Sequence, residues 1–186
     1  MRTLLWKGIN HEALEYFKIE RGKENNVVES KIIGRQNGNI YIVNYRLVID
    51  ENWLIREFKI ESEINTIKRE LTGENSEYGW QINRVTNSDF KDFKYIDISL
   101  TPFTNTLPVN NLSLDIEASK EIDVIYIDVL KNDIVPVKQR YTKIAFNKYF
   151  YENLNSGFKG NISVDESGFV DHYFGLFEKI AEHISL

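Results

Sequence analysis

The chain has 186 residues, 42% hydrophobic and 27% charged, with a formal net charge of −5. That length suits one domain, residues 1–186, with a substantial core, and the acidic balance argues against a phosphate-tracking surface and so against nucleic acid as a partner. There is no cysteine, which excludes disulfides, thiolate metal sites and cysteine nucleophiles.

At the N-terminus only Thr3-Leu4-Leu5-Trp6 lies between Arg2 and Lys7, short of the roughly 7 to 15 apolar residues of a secretory core. No run approaches the ~18 apolar residues of a membrane span. The expected location is cytoplasmic, with no integral membrane segment.

From Met1 to Ile49 the pattern is β throughout. Leu4–Ile9 and Ala13–Ile19 read as strands separated by Asn10-His11, and Val27–Ile33 as a third. Asn37-Gly38 is a hairpin signal joining Ile33 to Ile40. In Ile40–Ile49, Tyr41, Val43, Tyr45, Leu47 and Ile49 share one internal face. The next strand starts at Trp53, where strict alternation places Arg56 with Leu54, Phe58 and Ile60 on the inner face. A guanidinium there requires a carboxylate or other acceptors. Ile64–Leu71 reads as strand, Thr72–Glu77 as an exposed loop, and Gly79–Ile82 as a return to the sheet.

Tyr95–Leu100 is a strand with Ile96, Ile98 and Leu100 in one phase and Asp97 in the other, making Asp97 a second candidate interior charge if both faces are enclosed. It runs into Thr101-Pro102-Phe103-Thr104-Asn105-Thr106-Leu107-Pro108. Neither strand nor helix periodicity explains this stretch. Its hydroxyl and amide side chains can bond neighbouring backbone, and its prolines fix φ and remove two donors. The reading is a tight turn with a short helical turn after Thr101, Pro102 near its first position; a purely structural corner satisfies the same residues. Leu112–Ile116 and Ile122–Leu130 follow as strands. Val137, Gln139 and Tyr141 then alternate with Arg140 and Thr142, and Tyr149 and Tyr151 share a face. Asn155-Ser156-Gly157 is a turn, and Phe158–Val164 and Phe169–Tyr173 form a hairpin. Leu176–Ile184 has Phe177, Ile180 and Ala181 at helical spacing, which predicts a short C-terminal helix. Many short strands with frequent turns predict an all-β antiparallel barrel, roll or sandwich.

The central stretch resembles the signature of the bacterial family called "putative glycolipid-binding" proteins. Further matches follow in family order: Trp6, Gly8 and Glu12; Tyr45-Arg46; Trp53 and Arg56; Gly79-Trp80; Gln139-Arg140-Tyr141; Tyr149 and Tyr151; Val164-Asp165, Gly168 and Val170; and Tyr173. Where the family has a pair of arginines after Leu-Pro, this chain has Asn110 and Asn111. The resemblance implies a spiral β-roll fold and a non-enzymatic protein that holds a lipid-like or glycolipid-like amphipathic ligand inside the roll, without a cofactor.

The ligand would lie with its acyl part against internal Tyr, Phe and Ile side chains. Its polar part would meet Glu12, Tyr45, Arg56, Asp97, Thr104, Asn105, Gln139, Tyr141 and Tyr151. Tyrosine and tryptophan, apolar with a polar tip, suit such a cavity, although aromatics also favour strands as such. Arg56 neutralised by Asp97 or Glu12 is the expected polar centre, structural or ligand-binding. The alternative is a hydrolase acting on an ester or glycoside with Asp97 or Glu12 as its carboxylate, and a third reading is a plain interaction domain. No spacing among His11, His172 and His183 suits a metal, and nucleophile-elbow and phosphate-loop signatures are missing.

Overall fold

Alternating apolar and polar residues, punctuated by turn formers, fold most of the chain into successive hairpins. The structure is a computed structural model and describes residues 1–185. The first half supplies β1 (Arg2–Gly8), β2 (Ala13–Arg21), β3 (Asn25–Gln36), β4 (Asn39–Asp50), β5 (Ile55–Ile64), β6 (Ile67–Ser76), β7 (Gly79–Ile82) and β8 (Val85–Thr86). After a 3-10 turn at Ser88–Phe90 come β9 (Tyr95–Ile98) and the helix α1 (Phe103–Asn111). The second half supplies β10 (Ser119–Asp128), β11 (Asp133–Ala145), β12 (Lys148–Asn153), β13 (Lys159–Val164), β14 (Val170–Tyr173) and β15 (Phe177–Ile184).

All fifteen strands belong to one sheet, in the order β8-β7-β6-β5-β4-β3-β2-β1-β15-β14-β13-β12-β11-β10-β9. Every neighbouring pair is antiparallel except β9 and β10, which run parallel. The first and last strands meet in the middle, Arg2 opposite Ile184 and Gly8 opposite Phe177. The two edge strands, β8 and β9, are joined by residues 87–94 alone. Laid flat, fifteen strands would be about 67 Å wide, whereas the nine extended steps from Thr86 to Tyr95 span at most about 32 Å. The sheet must therefore curl, which makes the fold an open roll and not a closed barrel. This is the all-β single-sheet architecture with a short helix that the sequence implies.

α1 lies inside the curl. Every residue from Phe103 to Val109 is buried, so the helix is enclosed all round and its polar side chains depend on partners within the protein; Thr104 and Asn105 have them, whereas the Thr106 hydroxyl is buried without one. The Phe103 ring packs 4.6 Å from Phe17 and 6.1 Å from Phe169, centroid to centroid. Ile96, Ile98, Ile125 and Ile127 share this interior with Ile32, Val43 and Leu47 from the other half of the sheet. Trp6 closes it and donates from Nε1 to the Val170 carbonyl, 2.7 Å. The axis of the roll, where an enclosed acyl chamber was expected, is thus occupied by α1 and the aromatic rings around it.

Four local expectations change. Leu176–Ile184 is strand β15 and not a helix, because pairing with β1 satisfies the backbone of both; Ile180 is the extra residue of a bulge between the Leu5–Ala181 and Trp6–Lys179 pairs, and that break in the period of two imitates helical spacing. Thr72–Ser76 continues β6 and pairs with β5 and β7. Leu112–Ile116 is not a strand: Leu112 caps α1, its N–H donating to the Pro108 carbonyl. Arg56 is the extra residue of a second bulge, between the Val48–Glu57 and Ile49–Ile55 pairs. Arg56 and Glu57 consequently both face outward between buried Ile55 and buried Phe58.

A carboxyl group anchors α1 to the sheet. Glu15 shares the inner face of β2 with Ala13, Phe17 and Ile19 and is fully enclosed. Its Oε1 accepts from Ser30 Oγ (2.7 Å), Tyr45 OH (2.6 Å) and Thr101 Oγ1 (2.9 Å), while its Oε2 is buried without a partner. Burial pushes the Glu15 carboxyl up to about 7, against the opposing pull of the three hydroxyl bonds. An oxygen with three donors beside one with none matches the neutral acid.

Because the Glu15 carboxyl titrates near 4.5 when unfolded and near 7 when folded, the unfolded state holds fewer protons between those values. Stability therefore falls as pH rises through that window, by about 3 kcal/mol in all; Glu15→Gln, which keeps the acceptor without the charge, should flatten that slope in urea titrations from pH 5 to 8 and exceed the wild type at pH 8. On β6, Gly73 lies opposite Phe58, and a Cβ there would fall 2.0 Å from the ring. Gly73→Ala should cost roughly 1 to 3 kcal/mol, read as a lowered denaturation midpoint.

Candidate functional site

The Thr101–Asn105 segment carries polar chemistry into the interior, and each side chain has a definite use. Thr101 Oγ1 donates to Glu15 and accepts from the Phe103 N–H at 3.1 Å, tying the start of α1 to β2. Thr104 Oγ1 donates to Asp97 Oδ1 at 2.8 Å, and Gln139 Nε2 donates to Asp97 Oδ2 at 2.7 Å. Tyr141 OH donates to Asn105 Oδ1 at 2.9 Å, and the Asn105 amide returns to the Pro102 carbonyl at 3.3 Å. Tyr141 OH also lies 3.4 Å from Gln139 Oε1, so Asp97, Thr104, Asn105, Gln139 and Tyr141 form one chain of polar contacts between β9, α1 and β11. Burial raises the Asp97 carboxyl above its ordinary range, and the Thr104 and Gln139 bonds oppose that shift.

This network floors a cleft of about 260 Å³. In an antiparallel sheet alternate turns fall on the same rim, so the β1–β2, β12–β13 and β14–β15 turns converge around the end of β9. They bring His11, Asn153, Ser156 and Leu176 to the mouth, with Asp97, Thr101 and Asn105 below. Tyr126, Tyr151, Phe158, Tyr173 and Phe177 supply aromatic walls. Tyr151 meets Tyr141 and Tyr173 edge to face at 5.3 and 5.9 Å. His11 stacks on Phe177 at 5.6 Å, and burial lowers its pKa, with the charge of Asp128 opposing. Burial also raises the phenols of Tyr126, Tyr151 and Tyr173, so they stand as hydrogen-bond donors.

The structure brings Asp97, Thr104, Asn105, Gln139, Tyr141 and Tyr151 together. Tyr45 is adjacent, on the Glu15 hub, with its OH 3.1 Å from Thr101 Oγ1. Two expected members face outward instead. The Arg56 side chain is 52% exposed and pairs with Asp50 at 2.7 Å, its direction reversed by the β5 bulge. Glu12, in a turn with φ of 39°, is 59% exposed and pairs with Arg35 at 2.5 Å. Arg56 therefore meets neither Asp97 nor Glu12. Asn110 and Asn111 act as clamps: Asn110 Nδ2 donates to the Thr106 and Ser167 carbonyls, Asn111 Nδ2 to the Asn52 carbonyl, and Tyr95 OH donates to Asn111 Oδ1.

Sequence reasoning missed Glu15, although its phase with Ala13, Phe17 and Ile19 carried the signal. It also missed His11, Tyr126 and Phe158, whose places at the mouth depend on which turns share a rim. Among the described residues, no group of three or more His, Asp or Glu side chains is placed to hold a metal ion, and no helix is long and apolar enough to cross a membrane.

Comparison with known proteins agrees with this architecture. The chain is similar to a DUF1089 family protein from Pseudomonas aeruginosa, known from its crystal structure, with 31% sequence identity and a TM-score of 0.77 over 89% of this chain and 92% of that one. No curated protein matches. A family model described as "Putative glycolipid-binding" matches residues 3–179, nearly the whole roll, and the chain therefore belongs to that family.

Proposed function

We propose that the rim cleft binds the sugar-bearing end of an amphipathic ligand such as a glycolipid, with the acyl portion outside the roll. The observation that carries this reading is the facing of a partly accessible carboxylate, Asp97, by the aromatic walls of Tyr126, Tyr151 and Phe158 in one cleft of about 260 Å³. A sugar ring has apolar C–H faces and hydroxyl edges. Its faces pack on aromatic rings, which hold large apolar area in a fixed geometry. Its hydroxyls donate to a carboxylate and exchange bonds with amides. Thr104 and Gln139 use one lone pair on each Asp97 oxygen, and a carboxylate offers about four acceptor sites.

The packed axis supports placing the acyl chain outside, since Phe17, Phe103, Phe169 and Trp6 fill the space a chain would need. The family description supplies the ligand class, which is an inference from kinship and not from site geometry. The network beneath the cleft fixes the orientation of Asp97 and Asn105 before a ligand arrives, lowering the ordering cost of binding.

Calorimetric titration with an alkyl glycoside tests this. Phe158, 40% exposed at the mouth, can be truncated without opening the core. Phe158→Ala should weaken binding about tenfold, the value of one partly buried ring, with an unchanged unfolding midpoint. Equal affinity in the two proteins, or no binding by either, would overturn the reading.

A further inference from the structure

A second hollow, of about 330 Å³, adjoins the cleft on the same rim and shares His11, Ser99 and Tyr126 with it as a common wall. Its far side comes from the β3–β4 turn, which presents the amides of Gln36, Asn37 and Asn39. Asp128, paired with Lys131 at 3.0 Å, stands at the β10–β11 turn on the other side. The two hollows differ in chemistry: the cleft has aromatic walls over a carboxylate, whereas the second is dominated by amide and charged groups.

Each alone is near the ~300 Å³ lower end of small-molecule sites, and side by side they fall well within the usual range. Side-chain amides both donate and accept, which matches a ring bearing several hydroxyls. Asn39 is held in place by a 3.0 Å hydrogen bond that Asn65 Nδ2 donates to its Oδ1, leaving its NH₂ free to donate. The turn has the tight two-residue hairpin form, Asn37 and Gly38 both adopting positive φ, 50° and 80°.

We infer that the two hollows are consecutive subsites, and that the head group bound is an oligosaccharide of at least two sugar units, its first ring on the aromatic walls and its second among Gln36, Asn37 and Asn39. This rests on the proposed sugar-binding role of the cleft and adds the size of the head group to it.

Matched pairs of octyl mono- and disaccharide glycosides, in gluco, galacto and manno configurations, titrated against the full chain provide the test. For the best-bound configuration the disaccharide should bind at least tenfold tighter than its monosaccharide partner. Gln36→Trp, which fills the second hollow from a half-exposed turn position, should bring the disaccharide down to the monosaccharide's affinity and leave the latter unchanged. Equal affinities in the wild type, or an equal loss of both ligands in Gln36→Trp, would overturn the two-subsite inference while leaving the cleft itself standing. Binding of none of the glycosides would remove the sugar-binding reading and this inference with it.

Discussion

Three hydroxyl groups converging on one oxygen of Glu15 hold this fold together at its least forgiving point. Ser30 and Tyr45 come from β3 and β4, and Thr101 from the entry to α1. A helix enclosed on every side cannot rely on solvent to fix its position along or around its axis. Apolar contacts with Phe17 and Phe169 are strong but tolerant of small rotations, because the hydrophobic effect is non-directional. The hydroxyl bonds are directional, and an enclosed acid left without them would carry the full cost of desolvation. The hub therefore sets the helix register, and with it the height at which Thr104 and Asn105 meet β9 and β11.

That register decides where the chemistry lies. Asp97, on the short edge strand β9, is gripped from two directions, by Thr104 of α1 and Gln139 of β11. At the other end of the helix, Asn110 and Asn111 bond backbone carbonyls at the β13–β14 and β4–β5 turns. With each end fixed to both halves of the sheet, α1 acts as the spindle on which the roll is wound. The cleft then forms where the inner-face polar network reaches the rim, under turns contributed by strands far apart in the chain. The same arithmetic of alternating turns brings the β3–β4 and β10–β11 turns beside it, so the rim carries neighbouring hollows of different character. The opposite rim receives the β4–β5 and β13–β14 turns and is occupied by the helix clamps.

Much of the fold is legible in the order of residues. Alternation in β4, from Tyr41 to Ile49, gives a strand and its buried face, and Asn37-Gly38 gives its hairpin. The unusual Thr-Pro-Phe-Thr-Asn-Thr run marks the centre of the network, and Gln139 and Tyr141 fall on the inner phase of β11. Such features are local, because a strand's period of two and a turn's demand for positive φ act within a few residues.

Two of the differences share one cause. Arg56 and Ile180 each sit in a bulge, and a bulge is an agreement between two strands about which residue to leave unpaired. One extra residue reverses the facing of a guanidinium and makes a strand look helical, and neither effect is written in the strand that shows it. The sequence by itself determined most of the strands, the inner faces of those that alternate without a bulge, such as β2, β4 and β11, the polar segment at the middle of the chain and, by kinship, the family. Only the tertiary structure decided that Glu15 joins Asp97 as an interior ionisable group while Arg56 does not, that the axis is filled, and which turns share a rim, because these depend on the closing of a fifteen-stranded sheet around its helix, where groups distant in sequence first compete for the same space.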